Sequence, residues 1–221
     1  MTVLLFVATI ITFLAIDYFV RRSKPAIHGV AASAPAVHRV PSMRLPEGIY
    51  FSKTHTWLNL FPSGKVHLGV DDFAGRMFAN PHMTLLKKEG EAVRKGDAII
   101  RLEEAGKSVA LHAPLSGRIT KRNARYTTAS GSTAADDLFL HGWAYQIEPN
   151  EGASVVKDCL LGTETRMWMK GELSRLRDFM AHASRFEPVM LQDGGEPMPG
   201  VLSHLSTDDC ARFEEEFLAG R

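Results

Sequence analysis

Residues 93–119 decide the fold, and they read VRKGDAIIRLEEAGKSVALHAPLSGRI. Two apolar runs in this stretch, residues 98–102 and 109–111, flank a short polar segment at residues 103–108. Two such runs around a polar turn are typical of a β-hairpin, and Gly106 can adopt the positive φ that a tight turn requires. The sequence therefore predicts two antiparallel strands that meet at a tip formed by Ala105, Gly106 and Lys107.

Two further turns bracket this hairpin, at residues 95–97 and at residues 113–117. The succession of strand, Gly-Asp turn, strand, tip, strand, Ala-Pro-x-Ser-Gly turn and strand resembles the biotinyl/lipoyl-type domains. The resemblance implies a mainly β fold, a barrel-sandwich hybrid. It also implies a hairpin tip that carries the lysine to which lipoate or biotin is attached.

A longer series of short motifs narrows the resemblance, because the motifs occur in one order over residues 49–149. That order is similar to the H-protein of the glycine cleavage system, which implies a lipoyl carrier that shuttles an aminomethyl group between enzymes. The motifs are His55-Thr56-Trp57, residues 69–74, 95–97 and 113–119, Asn123, Gly142-Trp143 and Pro149.

The position of the carrier lysine leaves two interpretations open. In the H-protein pattern the lysine lies eight residues before the proline of the Ala-Pro-x-Ser-Gly turn, and in this chain that position is Gly106, eight before Pro114. Lys107 is one residue late, and a one-residue shift in a strand turns a side chain to the opposite face. We predict that Lys107 is a solvated turn residue and that no cofactor is bound. The alternative is that a compensating deletion restores the geometry and Lys107 carries lipoate.

The first twenty residues predict a membrane anchor. Residues 2–16 contain no charged side chain, and the apolar run is followed by Arg21, Arg22 and Lys24. A helix of about 20 residues spans roughly 30 Å, the thickness of the hydrocarbon core of a bilayer. A cleaved signal peptide would instead have basic residues before its apolar run. The positive-inside rule places the N-terminus outside and the rest of the chain in the cytoplasm. We therefore expect a single-pass protein of the cytoplasmic membrane that contacts lipid through residues 1–20.

The remaining chain divides by composition into a linker, a β-domain and a helical extension. After the anchor at residues 1–24, we expect a Pro/Ala-rich linker at 25–46, an H-protein-like β-domain at 47–150 and C-terminal α-helices at 151–221. Apolar residues spaced by four and three predict a helix over residues 164–184, which either packs on the β-domain or docks a partner subunit. Residues 206–209 predict the capped start of a last helix. The expected apolar face of the first helix consists of Met169, Leu173, Leu176, Met180 and Ala183.

Composition argues against several classes of function. The 26 basic and 25 acidic side chains balance, so we expect no nucleic-acid partner. The two cysteines, Cys159 and Cys210, lie far apart, and the nine histidines show no paired ligand spacing, so neither a disulfide nor a metal site is expected. Adjacent carboxylates such as residues 103 and 104 face opposite ways in a strand, which does not suit general acid–base catalysis. We therefore predict no catalytic residues and no enzymatic activity.

These observations predict a non-catalytic accessory or structural subunit of a larger membrane complex, respiratory or photosynthetic. Its degenerate H-protein-like domain would be a scaffold for contacts with other protein subunits. The alternative is a membrane-tethered lipoyl carrier, modified at Lys107, that serves a redox or one-carbon enzyme.

Overall fold

The computed structural model describes residues 43–126, 138–183 and 199–220. The predicted anchor at residues 1–24 and most of the predicted linker lie outside the described residues. Within the described ranges, none of the helices has both the length and the apolar character needed to span a bilayer.

In the described part of the chain, nine strands form two antiparallel sheets. One sheet has six strands in the order β1-β2-β3-β9-β8-β5, and the other has three in the order β4-β6-β7. The strands are β1 (Tyr50–Phe51), β2 (Thr56–Leu60), β3 (Val66–Val70), β4 (His82–Leu85), β5 (Ala92–Val93), β6 (Ala98–Glu104), β7 (Lys107–His112), β8 (Gly117–Arg122) and β9 (Trp143–Pro149).

One short α-helix follows β3 and one 3-10 helix follows β8, and the other helices come after β9. Helix α1 (Asp72–Arg76) is capped by the Asp71 side chain, which accepts from the Ala74 N–H. Ser206 caps α3 in the same way through the Asp209 N–H. The helices are α1 (Asp72–Arg76), α2 (Thr163–His182) and α3 (Thr207–Phe213), with 3-10 helices at Ala124–Tyr126, Gly152–Asp158 and Val201–His204 and a π-helical turn at Glu214–Leu218.

The predicted hairpin is present as β6 and β7, and its turn is tighter than the sequence suggests. Glu104 pairs with Lys107, so only Ala105 and Gly106 form the turn. Both have positive φ, 51° and 78°. Two consecutive positive φ values are typical of the two-residue turn that matches the twist of a β-hairpin. Lys107 is consequently the first residue of β7.

Residues 50–58 are rich in aromatic residues and threonine, a composition that favours a strand, but they do not form a single element. The chain forms β1 and β2 instead, and the Ser52 N–H bonds back to the Thr56 carbonyl across a turn between them. His55 lies in that turn with φ 56°, which is uncommon for a residue with a Cβ. This backbone conformation directs the His55 side chain into the protein interior, where it hydrogen-bonds to Asp71.

The core lies between the two sheets and under the helices. Trp57 and Tyr145 are among its largest fully buried side chains. Gly69 is required beside Trp57, because a Cβ at this position would lie 2.5 Å from the indole ring. Gly117, the glycine of the Ala-Pro-x-Ser-Gly turn, is required for a similar reason, since its Cβ would lie 2.4 Å from the Glu148 carbonyl oxygen. These close approaches explain why two of the recognised motifs contain glycine.

The described part of the C-terminal extension packs on the β-domain. The Trp168 ring of α2 lies 4.9 Å from the ring of His55. Phe179 of α2 lies 6.0 Å from Phe213 of α3, and Phe213 in turn stacks 6.3 Å from Phe73 of α1. The predicted inward face of α2 is observed: Met169, Leu176 and Met180 are buried and Leu173 is partly buried. Ala183, which directly follows α2, is buried as well.

Candidate functional site

The hairpin tip is the first candidate site, because the resemblance places a carrier lysine there. Ala105 and Gly106 are exposed to solvent. A Cβ built on Gly106 would meet no atom within 4 Å, so there is space for a side chain at this position, but the φ of 78° favours glycine. In this chain the position has no side chain.

The Lys107 amine is not the solvated group that the sequence predicts. Its Nζ donates a hydrogen bond of 2.5 Å to the backbone carbonyl of Ser203, and the residue is half-buried. The acceptor is 96 residues further along the chain. The tip is therefore attached to the C-terminal extension through the Lys107 amine.

Glu104, at the other side of the turn, ties together three parts of the protein. Its carboxylate accepts from the backbone N–H groups of Ala79 and Asn80 at 2.9 and 2.8 Å, and from the Ser203 hydroxyl at 2.5 Å. Burial works to raise the pKa of Glu104, but these three donors stabilise the ionised form and hold the pKa below its ordinary value. The hairpin, the loop after α1 and the C-terminal extension thus share one ionised acceptor.

The same extension runs along the edge of β7, and we call residues 199–218 the C-terminal segment. Strand β7 is the last strand of its sheet, so one of its edges has no strand partner in the sheet. The Ala110 N–H on β7 donates to the Glu214 carboxylate at 2.7 Å. The His112 Nδ1 lies 3.2 Å from the Leu218 carbonyl, which it donates to as the protonated nitrogen. The segment therefore satisfies the Ala110 N–H and lies along an edge that would otherwise be open to other strands.

A second cluster of charged groups lies in the interior, centred on His55. The His55 Nδ1 is 2.8 Å from the Asp71 carboxylate, and neither side chain is exposed. The Nε2 is 3.8 Å from the Glu172 carboxylate of α2, which is too long for a hydrogen bond but close enough for charge attraction. The imidazole also stacks on Phe73 at 4.1 Å.

The charge state of His55 follows from these neighbours. Burial acts to lower the pKa of His55, but the charge of Asp71, the hydrogen bond to it and the nearby Glu172 together raise the pKa to about 9. Burial likewise acts to raise the pKa of Glu172, while His55 and Arg175 hold it below its ordinary value. At neutral pH, His55 is therefore a buried cation between two carboxylates, which holds α2 against the β-domain.

The other residues considered from the sequence do not come together as a reactive site. Asp71 and Asp72 are both buried, but Asp71 faces His55 whereas Asp72 accepts from Arg44 and from Arg76. In residues 43–126, 138–183 and 199–220, no three His, Cys, Asp or Glu side chains cluster so as to hold a metal ion. The two cysteines are free thiols, one half-buried and one buried: Cys159 and Cys210.

A family model described as "Glycine cleavage H-protein" matches residues 49–170, which is more than half of the chain. The chain belongs to the glycine cleavage H-protein family. The match confirms the family and the mainly β fold expected from the ordered motifs. It begins in front of β1 and ends within α2, so it extends beyond residue 150, where we expected the β-domain to end.

Individual H-proteins are also similar to this chain. The glycine cleavage system H protein of Coprothermobacter proteolyticus is 27% identical over 130 residues, covering 59% of this chain and 100% of that protein. The probable H protein of Pyrococcus furiosus is 24% identical over 121 residues, covering 55% and 89%. A crystal structure of the H protein from Mycobacterium marinum is 25% identical with a TM-score of 0.46, covering 54% of this chain and 94% of that one.

The H-protein match includes the hairpin but not the residues of the C-terminal segment that bond to it. Glu104 and Lys107 lie inside the matched region, whereas Ser203, Glu214 and Leu218 lie beyond it. Sequence reasoning missed these three residues, because no local pattern marks a serine carbonyl or a single glutamate as the partner of a distant strand. It also missed Asp71 and Glu172 as partners of His55.

Proposed function

We propose that this chain is a non-catalytic, membrane-anchored subunit of a larger membrane complex, in which the H-protein-like domain is a scaffold for protein contacts. The observation that carries the proposal is the hydrogen bond from the Lys107 amine to the Ser203 carbonyl, together with the absence of an amine at Gly106. The tip then stabilises the contact with the C-terminal extension and is not an attachment point for lipoate.

Carrier chemistry sets requirements that this tip does not fit. A lipoyl arm needs a lysine amine that a modifying enzyme and then several partner enzymes can all reach. Gly106, at the carrier position, is exposed but has no amine, and Lys107 has an amine that is half-buried and bonded to the backbone. We accordingly propose that the protein binds no cofactor.

The proposed partners of the chain are the lipid bilayer and the other protein subunits of the complex. The apolar N-terminal twenty residues contact the bilayer of the cytoplasmic membrane, with the N-terminus outside and the domain in the cytoplasm. Other subunits, of a respiratory or photosynthetic complex, bind the domain and its helical extension. Two large apolar side chains exposed at the start of the extension are suited to such contacts: Met167 is 70% exposed and Leu161 is 41% exposed. The balanced charge gives no reason for a nucleic-acid partner.

A second candidate function is a membrane-tethered lipoyl carrier that is modified at Lys107 and serves a redox or one-carbon enzyme. Membership of the H-protein family favours it, and so does the position of Lys107 directly after the turn. In this case the Lys107 amine would have to leave the Ser203 carbonyl before modification.

Intact mass separates the two candidates. We expect natively purified full-length protein to have the mass of the unmodified chain, because neither Gly106 nor Lys107 offers a reachable amine. A matched variant that combines Gly106→Lys with Lys107→Ala moves the amine to the family position, where nothing lies within 4 Å of the Cβ. The φ of 78° strains a lysine there, so the folded state of the variant is checked by circular dichroism before its mass is measured. Expressed with a lipoate-attaching enzyme, this variant is expected to gain a lipoyl group. A lipoyl group on Lys107 of the native protein would overturn the scaffold proposal.

The partner proposal is tested by extraction from membranes. In a mild detergent, we expect the full-length protein to elute from size exclusion with other subunits, at a mass well above its own 24.4 kDa. Deletion of residues 1–20 is expected to release the chain into the soluble fraction, because the remaining domain has no comparable apolar run. A solitary, monodisperse monomer in native extracts would contradict a role as a subunit.

A further inference from the structure

We propose that the C-terminal segment, residues 199–218, is a built-in cover that excludes acyl-transferring enzymes from the Lys107 amine. This inference deepens the proposed function and rests on it, because it names the part of the chain that keeps the hairpin unmodified. The cover belongs to this chain and lies outside the region that matches the H-protein family.

The first support is the row of contacts along β7. Lys107, Ala110 and His112 each bond to the segment, at 2.5, 2.7 and 3.2 Å. Their partners are the Ser203 carbonyl, the Glu214 carboxylate and the Leu218 carbonyl, which are spread over the whole segment. The contacts thus follow the open edge of β7 from the tip inward, and an enzyme that approached this edge would meet the segment first.

The second support is that the segment is fixed from other sides as well. The Gly200 N–H donates to the Arg76 carbonyl and the Leu202 N–H to the Met77 carbonyl, both at 2.9 Å. The Ser203 hydroxyl donates to Glu104, so the residue whose carbonyl holds Lys107 is itself held by the hairpin. Several side chains of the segment are fully buried: Leu202, Phe213 and Leu218. The cover is therefore part of the folded protein and not a loosely attached tail.

The chemistry of acylation explains why such a cover is effective. A lysine ammonium must first lose a proton to a base. The nitrogen lone pair then attacks the carbonyl carbon of an activated acyl group, whose leaving group departs. In this fold the Lys107 nitrogen points at the Ser203 carbonyl and its residue is half-buried, so the amine has to turn away from the C-terminal segment, and give up this hydrogen bond, to reach an acyl donor.

Chemical acetylation of the full-length chain tests the cover directly. With acetyl N-hydroxysuccinimide ester, each amine displaces N-hydroxysuccinimide, loses a proton to the buffer and gains an acetyl group. Peptide mass spectrometry gives the rate at Lys107 and at two exposed lysines, Lys121 and Lys170. We expect Lys107 to react at least about tenfold more slowly, the factor that a hydrogen bond from a charged donor typically provides.

Two variants open the cover at different points. Glu104→Gln removes the charged acceptor of the Ser203 hydroxyl, and Gly200→Val places a branched side chain at φ 88°, with its Cβ 3.0 Å from that of Ala79. Both are expected to raise the rate at Lys107 several-fold without changing the rate at Lys121. Glu103→Gln is the matched control, because this neighbouring carboxylate is exposed and the change is expected to have no effect.

The outcomes separate the cover from the proposed function. Lys107 labelling as fast as Lys121 in unmodified protein overturns the cover and leaves the scaffold proposal standing. Unchanged Lys107 labelling in folded Glu104→Gln and Gly200→Val proteins overturns the cover as well. A lipoyl group already present on Lys107 overturns the scaffold proposal itself.

Discussion

Replacing His55 with alanine is expected to lower the free energy of unfolding by about 3–5 kcal/mol, because it leaves two buried carboxylates without their shared cation. Asp71 is fully buried against His55, and the Glu172 side chain is only 8% exposed. Arg175 still pairs with Glu172, but Asp71 retains only the N–H that it caps. Urea unfolding followed by circular dichroism measures the loss.

The same residue predicts how stability depends on pH. The folded protein holds the His55 proton with a pKa of about 9, against 6.5 for an ordinary histidine. The stability from this proton is therefore complete below pH 6.5 and is lost as the pH rises towards about 9. The His55→Ala protein lacks this contribution, so its stability should fall less over the same range. His82→Ala is the control: His82 is exposed on β4, and its loss is expected to preserve both the stability and the slope. Equal slopes in the native and His55→Ala proteins would contradict a protonated His55.

Phe213→Ala is expected to cost about 3–5 kcal/mol, the range for removing a buried phenylalanine. Phe213 is fully buried in α3 and stacks 4.8 Å from Phe217, and it also contacts Phe73 and Phe179. Its ring joins the C-terminal segment to α2 and to the β-domain at once. Thermal and urea unfolding of the variant measure the loss.

The control for Phe213 is Met167→Ala on α2, where the side chain is 70% exposed and the change is expected to stay within about 0.5 kcal/mol. If Phe213→Ala instead costs less than about 1 kcal/mol, well under the usual cost of a buried ring, the C-terminal segment is not part of the cooperative core. The cover proposed for the hairpin would then lose its structural basis.

The sequence predicts those features that depend on local pattern. The hairpin, the Ser206 cap and the inward face of α2 follow from turn residues, a capping side chain and apolar spacing, and all are present. Gly106 as the residue at the carrier position follows from counting within one motif, and the structure places it in the turn.

Features that depend on distant contacts could not be predicted in this way. Lys107 looks like a solvated turn residue until the fold brings Ser203 to it across 96 residues. Glu172 breaks the rule that polar residues of a helix face outward, because its carboxylate faces a buried histidine. That histidine, His55, in turn splits a stretch that reads as a single strand, since its turn directs the ring inward.

The covered edge of β7 also determines how long a fragment of this protein must be to stay monomeric. A fragment cut at residue 150, where the motifs end, would leave the Ala110 N–H without the Glu214 carboxylate and would uncover the ring of Phe73. An open strand edge beside bare apolar surface favours self-association of chains. Recombinant fragments for biophysical work should therefore retain the sequence as far as Leu218, well past residue 170, where the match to the H-protein family ends.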